Sequence, residues 1–115
     1  QFGDEYEGHW YLFPFGIYDG DAPVGFLMYG LNFDHPKQQA FIQRLMVDEK
    51  FQGKGFGRFG MEKALEIFRA DERIREVGVS YEPHNAGARR LYASLGFAET
   101  GEMIEDEMLA VLKLR

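Results

Sequence analysis

The segment Gln52-Gly53-Lys54-Gly55-Phe56-Gly57 carries the clearest chemical signal in the sequence. Its glycines stand at alternate positions, so one wall of the loop lacks Cβ atoms and successive backbone N–H groups can close on a phosphate. A helical pattern follows at once, and the N-terminus of a helix favours negative charge. The segment therefore predicts an anion cradle, with a tight strand-to-helix turn as the plainer alternative.

Two other phosphate-binding motifs fit this segment less well. Residues 55–60 satisfy G-x-G-x-x-G, but residues 48–54 separate them from the preceding strand, whereas a dinucleotide fingerprint follows its strand almost at once. A Walker loop needs Ser or Thr after its Gly-Lys pair, and Gly53-Lys54 is followed by Gly55. The better description is Gln52-x-x-Gly55-x-Gly57.

Hydrophobic periodicity indicates which elements must hold this loop. The predicted order is β-β-β-α-β-α-β-β, an α+β fold with a mixed, mostly antiparallel sheet and a central βαβ crossover. Pro14 lies inside the first strand and indicates an edge or bulge position. Strands are predicted over residues 11–18, 24–31, 40–47, 76–81, 97–102 and 108–114, and helices over residues 58–70 and 86–95.

Composition narrows the class of protein. The 115 residues, of which 45% are hydrophobic, predict a single domain over residues 1–115. The absence of cysteine excludes disulfides and thiolate nucleophiles, and three scattered histidines lack ligand spacing, so no metal site is expected. A net charge of −6 argues against nucleic-acid binding, and no apolar stretch is long enough for a membrane span. A cytoplasmic protein is predicted.

Acidic residues gather near both ends of the sequence. If the two groups meet in space, their field would attract amines, and otherwise they are solvated charge runs. The groups are Asp4, Glu5 and Glu7, and Glu99, Glu102, Glu105, Asp106 and Glu107.

Three separated motifs occur in the order found in one enzyme superfamily. The glycine segment, Arg44-Leu45-Met46-Val47-Asp48 before it, and Asn85 to Tyr92 with Gly96-Phe97 after it resemble the GCN5-related N-acetyltransferase (GNAT) superfamily. The likeness runs from about Phe15 to Leu114. Segments such as Pro23-Val24-Gly25-Phe26 are most similar to bacterial spermine/spermidine acetyltransferases.

The resemblance implies acetyl-CoA as cosubstrate and assigns roles by position. The backbone of Leu45, Met46 and Val47 would pair with the pantetheine arm as an added strand. Asn85 and Arg89 would join the cofactor-binding set, Tyr92 would give a proton to the departing thiolate, and the Met46 N–H would stabilise the oxyanion. The pyrophosphate would be held by the N–H groups of Gln52, Gly53, Lys54, Gly55, Phe56, Gly57 and Arg58.

Asn85 and Tyr92 also have plainer interpretations. Asn85 is a natural N-cap for a helix that starts at Ala86, which is worth about 1 kcal/mol. Tyr92 lies on the apolar stripe of that helix, where a lone aromatic residue usually belongs to the core.

Amine acetylation requires a group that takes a proton. With a pKa near 10.4, an amine is almost fully protonated at pH 7. Forming the neutral, nucleophilic amine at this pH therefore costs about 4 to 5 kcal/mol. In the polyamine acetyltransferases the position two before Leu45 is typically acidic, but here it is Gln43, whose amide is no base. Glu82, Glu102, Glu105 or water are the remaining candidates.

The resemblance also implies a strand and helices before the first strand, where this sequence has only residues 1–10. Either that segment is missing or a second subunit completes the cleft, and the exposed apolar surface would favour a homodimer. The leading prediction is direct acetyl transfer from acetyl-CoA to a small primary amine, with spermine or spermidine as candidate. The alternatives are a CoA-binding or regulatory domain with little catalysis and a ligand-free structural domain.

Overall fold

The computed structural model describes residues 10–34 and 38–115. Within these residues, six strands form one sheet in the order β1-β2-β3-β4-β6-β5, and two α-helices follow β3 and β4. The strands are β1 (Tyr11–Asp19), β2 (Ala22–Asn32), β3 (Gln39–Val47), β4 (Glu76–Tyr81), β5 (Ala98–Ile104) and β6 (Glu107–Lys113), and the helices are α1 (Phe56–Ala70) and α2 (Ala86–Ser94).

The pairing confirms the predicted α+β topology. Strands β1, β2 and β3 form an antiparallel meander, β3 and β4 run parallel across the α1 crossover, and β6 pairs antiparallel with both β4 and β5. Pro14 lies in β1, which is an edge strand, so its missing N–H interrupts no inner ladder.

One face of the sheet packs against α1. Along α1, Met61, Ala64, Leu65 and Phe68 recur at helical spacing and are buried, because they cover the inward side chains of the strands. Gly60 permits a close approach to β1, since a Cβ atom at this position would lie 2.7 Å from Ile17 Cδ1. Each large side chain buried here contributes about 1.5–3 kcal/mol to folding.

The opposite face of the sheet, here called the open face, has exposed apolar side chains. Phe26 and Met46 are cross-strand partners, and Leu12 lies on the same side through its pairing with Gly30. Their exposed fractions are 37%, 48% and 49%. Neither helix in the described part of the chain is long and apolar enough to cross a bilayer.

A β-bulge in β3 opens the sheet. Met28 pairs with Arg44 but Tyr29 pairs with Ile42, so Gln43 is an extra residue without a partner in β2. The pairing of β3 with β4 ends at Ile42, opposite Val79. The rest of β3 therefore diverges from β4 and leaves a gap in the sheet.

Arg115 ties the end of α1 to the start of β4. Its guanidinium group donates to the carbonyl oxygens of Phe68, Arg69 and Asp71 at 3.3, 2.8 and 3.0 Å, and to that of Ile74 at 2.9 Å. The Phe68 and Arg69 carbonyls belong to the last turn of α1 and that of Asp71 to its C-cap, where the helix dipole also favours a cation.

Replacing Arg115 by Ala should therefore lower the free energy of unfolding by about 1–3 kcal/mol, as measured by urea denaturation. Lys113→Ala is the matched control, because Lys113 is 77% exposed and its Nζ lies 4.0 Å from Glu76 Oε1. It should cost less than about 1 kcal/mol. Equal losses in the two variants would contradict the capping role of Arg115.

Candidate active site

The gap between β3 and β4 leaves backbone groups of β3 without a strand partner. The Asp48 N–H donates to the Val24 carbonyl at 2.7 Å, so Asp48 faces β2. Because backbone groups alternate along a strand, Met46 also faces β2, whereas Leu45 and Val47 face the gap. The register thus directs the Met46 N–H, predicted to stabilise an oxyanion, away from the gap. The amides that face the gap are those of Leu45 and Val47.

The glycine segment forms a turn in which the amides after Gln52 are free within the described structure. Gly53 and Gly55 have φ angles of 78° and 88°, a conformation that favours glycine, and a Cβ atom on either would meet no atom of the described residues within 4 Å. In the described part of the chain, no hydrogen bond is donated by the N–H groups of residues 53–58. The Gln52 N–H is occupied by the Glu49 carbonyl at 3.3 Å. The available amides are therefore those of residues 53–58.

Local contacts hold this turn at the end of β3. The Asp48 side chain accepts from the Lys50 N–H at 3.3 Å and begins a 3-10 turn over Glu49–Phe51. The Gln52 side chain donates through Nε2 to the Val47 carbonyl at 2.9 Å. The first glycines are thus fixed beside the gap without using the amides that follow them.

Two adjoining cavities lie in this region. The glycine cavity, about 320 Å³, lies between the turn, β3 and α2. The tyrosine cavity, about 400 Å³, occupies the gap. Leu45, Ala88 and Leu91 line both, so the two cavities form one groove. The remaining lining of the glycine cavity is Val47, Phe51, Gln52, Gly53, Gly55, Phe56, Gly57 and Gly87, and that of the tyrosine cavity is Ile42, Ser80, Tyr81, Glu82, Asn85, Tyr92 and Glu107.

The tyrosine cavity is negatively charged. Its described lining contains the carboxylates of Glu82 and Glu107 and no Lys, Arg or His side chain. Charges of one sign in a partly enclosed cleft attract the opposite charge. The cavity therefore suits a cationic ligand.

Tyr92 lies in this cavity with its ring fixed by aromatic neighbours. It is 7% exposed, stacks on Tyr81 with ring centroids 5.4 Å apart, and meets Phe97 edge-on at 5.7 Å. Burial, with a smaller contribution from the charge of Glu107, raises the pKa of Tyr92 to about 12. The phenol is therefore protonated at neutral pH and can act as an acid.

The raised pKa of Tyr92 should appear in the pH dependence of stability. A phenol whose folded-state pKa exceeds its unfolded value of 10 stabilises the protein below pH 10, and this contribution is lost as pH rises toward 12. The wild type should thus lose about 1 kcal/mol of stability relative to Tyr92→Phe between pH 9 and pH 11. Denaturant titrations at both pH values measure it, and a constant difference would contradict the assigned pKa.

Three other predicted cofactor residues have internal partners. Asn85 lines the tyrosine cavity, and its Oδ1 caps α2 by accepting from the Ala88 N–H at 3.0 Å, as its plainer interpretation predicted. Arg89 lines neither cavity, because its Nε donates to Glu99 Oε2 at 2.9 Å. Arg58 donates to Ser94 Oγ at 2.7 Å.

The candidate proton acceptors are not all at the site. Glu82 lines the tyrosine cavity, whereas Glu102 and Glu105 are exposed on the β5–β6 hairpin and line neither cavity. The bulge holds Gln43, whose Oε1 is buried and has no hydrogen-bond partner in the described residues. The acidic group at residues 4–7 lies outside the described residues, so the meeting of the two acidic groups stays a prediction.

Sequence reasoning missed Ser80 and did not single out Glu107 for this site. Ser80 Oγ donates to Glu107 Oε1 at 2.7 Å, and both residues line the tyrosine cavity. Because side chains alternate along a strand, the sequence could have predicted that Ser80 lies on the face of β4 opposite to Val79 and Tyr81. The pairing of β4 with β6, which brings Glu107 there, has no local sequence signal.

Residues 2–97 match the sequence model of the acetyltransferase (GNAT) family. The chain belongs to this family. It is 33% identical over 105 residues to the spermine/spermidine N(1)-acetyltransferase of Bacillus subtilis (strain 168), a match that covers 87% of this chain and 68% of that protein.

Solved structures show the same fold. The PaiA N-acetyltransferase from Thermoplasma acidophilum in complex with coenzyme A is 16% identical with a TM-score of 0.75, over 89% of this chain and 60% of that one. Mutant forms of the spermidine/spermine N-acetyltransferase SpeG from Vibrio cholerae are 19% identical with a TM-score of 0.77, over 90% of this chain and 67% of theirs. The chain thus spans about two thirds of the length of these proteins.

These comparisons confirm three predictions from the sequence: the GNAT family, the α+β fold class and the enzyme class. A GNAT protein is an N-acetyltransferase that uses acetyl-CoA as acyl donor.

Proposed function

We propose that this GNAT chain transfers an acetyl group from acetyl-CoA directly to a primary amine of a small molecule, with a polyamine such as spermine or spermidine as the acceptor. The observation that carries this proposal is the groove itself. It joins a turn with free amides to a negatively charged cavity that contains a buried, protonated tyrosine. The proposal treats residues 1–115 as one acetyltransferase domain.

The glycine cavity suits the diphosphate of acetyl-CoA. The amides of residues 53–58 precede and begin α1, where the helix dipole also favours an anion. The Leu45 backbone and the Val47 N–H face the gap and offer hydrogen-bonding groups to the pantetheine amides, in the manner of an added strand, whereas the Val47 carbonyl accepts from Gln52. When bound, acetyl-CoA supplies a thioester carbonyl that an amine can attack.

The tyrosine cavity suits the acceptor. Its two carboxylates and lack of basic lining favour a protonated amine over a neutral or anionic substrate. The polyamine assignment rests on this charge and on the named activity of the 33% identical B. subtilis relative. Tyr92 is placed to protonate the departing sulfur, because its phenol is neutral at physiological pH and lines the cavity.

A second candidate function is CoA binding with little or no catalysis. The bulge residue Gln43 favours it, because a glutamine amide takes up no proton at neutral pH. The two functions differ in whether an amine triggers release of free thiol from acetyl-CoA.

A panel of amines tests the proposal. The purified chain is mixed with acetyl-CoA and with spermine, spermidine, lysine or an N-terminal peptide, and DTNB detects released CoA. Calorimetry measures CoA binding in parallel. We expect thiol release that depends on the polyamine, whereas CoA binding without amine-dependent release would favour the second function.

Two further predictions belong to this proposal. Use of acetyl-CoA as the donor supports a cytoplasmic enzyme, and the net charge of −6 supports the absence of nucleic-acid partners. The exposed apolar side chains of the open face, including Phe26 and Met46, support a homodimer in which a second copy covers them.

A further inference from the structure

Glu107 and Ser80 meet at the edge of the gap, on the open face. Ser80 pairs with Leu109 across the β4–β6 ladder, so Glu107 is its diagonal neighbour on the same side of the sheet. The 2.7 Å hydrogen bond from Ser80 Oγ fixes one carboxylate oxygen of Glu107. Tyr81 and Tyr92, by contrast, lie on the side of the helices. The tyrosine cavity is therefore lined by side chains from both faces of the sheet.

The charge of Glu107 has no counter-ion in the described residues. Glu99 shows the contrast, because it accepts from Arg89 at 2.9 Å and from the Tyr81 hydroxyl at 2.7 Å. Glu107 has the neutral Ser80 hydroxyl and no ion pair within the described ranges. The titratable groups that share its cavity are Glu82, at the end of β4, and the phenols of Tyr81 and Tyr92. None of them is a cation.

An independent observation also points to a ligand in this cavity. Tyr92 has an exposed fraction of only 7%, and its hydroxyl donates no hydrogen bond within the described residues. The hydroxyl oxygen is not enclosed by the described residues, so it is accessible from the cavity and can donate to a polar ligand there. Glu107 and the Tyr92 hydroxyl thus offer an acceptor and a donor in the same cavity.

We infer that Glu107 binds the ammonium group of the acceptor and takes its proton, and that Ser80 is a positioning residue that orients the carboxylate. This inference rests on the proposed function, which it deepens by naming the base. Of the other acidic candidates, Glu102 and Glu105 line neither cavity. Glu82 is exposed, and its carboxylate makes no hydrogen bond to the described residues that would orient it.

The ammonium gives one proton to the Glu107 carboxylate and becomes a neutral amine, whose nitrogen attacks the thioester carbonyl. The C–N bond forms and the C–S bond breaks, and the sulfur takes a proton from the Tyr92 phenol. The nitrogen loses its surplus proton, which restores Tyr92, and Glu107 returns its own proton to water. The products are the N-acetylated amine, CoA as thiol and one released proton.

The test compares Glu107→Gln with Asp106→Asn, which removes a neighbouring exposed carboxylate that lines neither cavity. At pH 7, Glu107→Gln should lower kcat/KM for spermine by at least about 100-fold, and CoA affinity should stay at the wild-type value. The loss of kcat/KM should become smaller as the pH approaches about 10, because a large fraction of the amine is then neutral without a base. Ser80→Ala should show a smaller loss of the same kind, and Asp106→Asn should match the wild type.

Calorimetric titration of spermine into the CoA-loaded protein separates this inference from the proposed function. Weaker spermine binding to Glu107→Gln than to Asp106→Asn supports Glu107 as the ammonium site, even if the wild type proves inactive and the transferase proposal fails. Equal spermine binding in both variants overturns the inference. A wild-type kcat/KM in Glu107→Gln at pH 7 overturns it as well, and the transferase proposal would then stand with another base.

Discussion

Replacing Tyr92 by phenylalanine should lower kcat by about 100- to 10,000-fold, with little change in CoA affinity. The phenol is the proton donor that we propose for the departing sulfur, and phenylalanine has none. The ring contacts with Tyr81 and Phe97 persist in the variant, and no described hydrogen bond is lost with the hydroxyl. The fold and the donor site should therefore remain intact. Steady-state kinetics and calorimetry with CoA measure the two effects separately.

Tyr29→Phe is the matched control for this experiment. Tyr29 is a half-buried tyrosine that packs edge-on against Phe68 at 4.9 Å, and burial raises its pKa as well. It lines neither cavity, so the same loss of a hydroxyl should leave kcat near the wild-type value. If Tyr92→Phe keeps wild-type kcat, Tyr92 is not the proton donor.

Replacing Gly55 by valine should raise the Kd for CoA by at least about 100-fold. The added side chain would project into open space beside the free amides, where we propose that the diphosphate binds. Loss of two hydrogen bonds to a charged group, at about 1.5–3 kcal/mol each, is sufficient for that change. Isothermal titration with CoA provides the measurement.

Strain must be separated from the loss of the binding site, because a valine with positive φ destabilises the fold by about 1–3 kcal/mol. Gly101→Val supplies the comparison. Gly101 has φ 85°, close to the 88° of Gly55, and a Cβ atom there would also meet no described atom within 4 Å. Both variants should lose similar stability, but only Gly55→Val should lose CoA binding. Similar CoA affinities in the two would rule out the glycine turn as the diphosphate site.

Much of the fold was predictable because its signals are local. The stripe of Met61, Ala64, Leu65 and Phe68 fixes α1 by its 3.6-residue period, and the preceding glycines fix the turn by their permitted φ angles. Asn85 caps α2 within three residues of its own position. In each case the residues that interact are close together in the sequence.

The missed features depend on contacts between distant residues. The bulge at Gln43 follows from how β2 and β3 match their buried faces, and it determines whether the Met46 or the Leu45 amide faces the gap. Glu99, eighteen residues from Tyr81 and ten from Arg89, holds Arg89 away from the cofactor groove. Ser80 and Glu107 are 27 residues apart and meet only because β6 lies beside β4.

Because the pairing of β3 with β4 stops at Ile42, the gap between these strands is open to ligands from both faces of the sheet. Acetyl-CoA would approach from the side of the helices and the amine from the opposite side, so neither reactant blocks the entrance of the other. With this arrangement the two substrates need not bind in a fixed order, and no acyl-enzyme intermediate is required. Its expected kinetic signature is a family of intersecting double-reciprocal lines, as in any enzyme whose two reactants meet before either product departs.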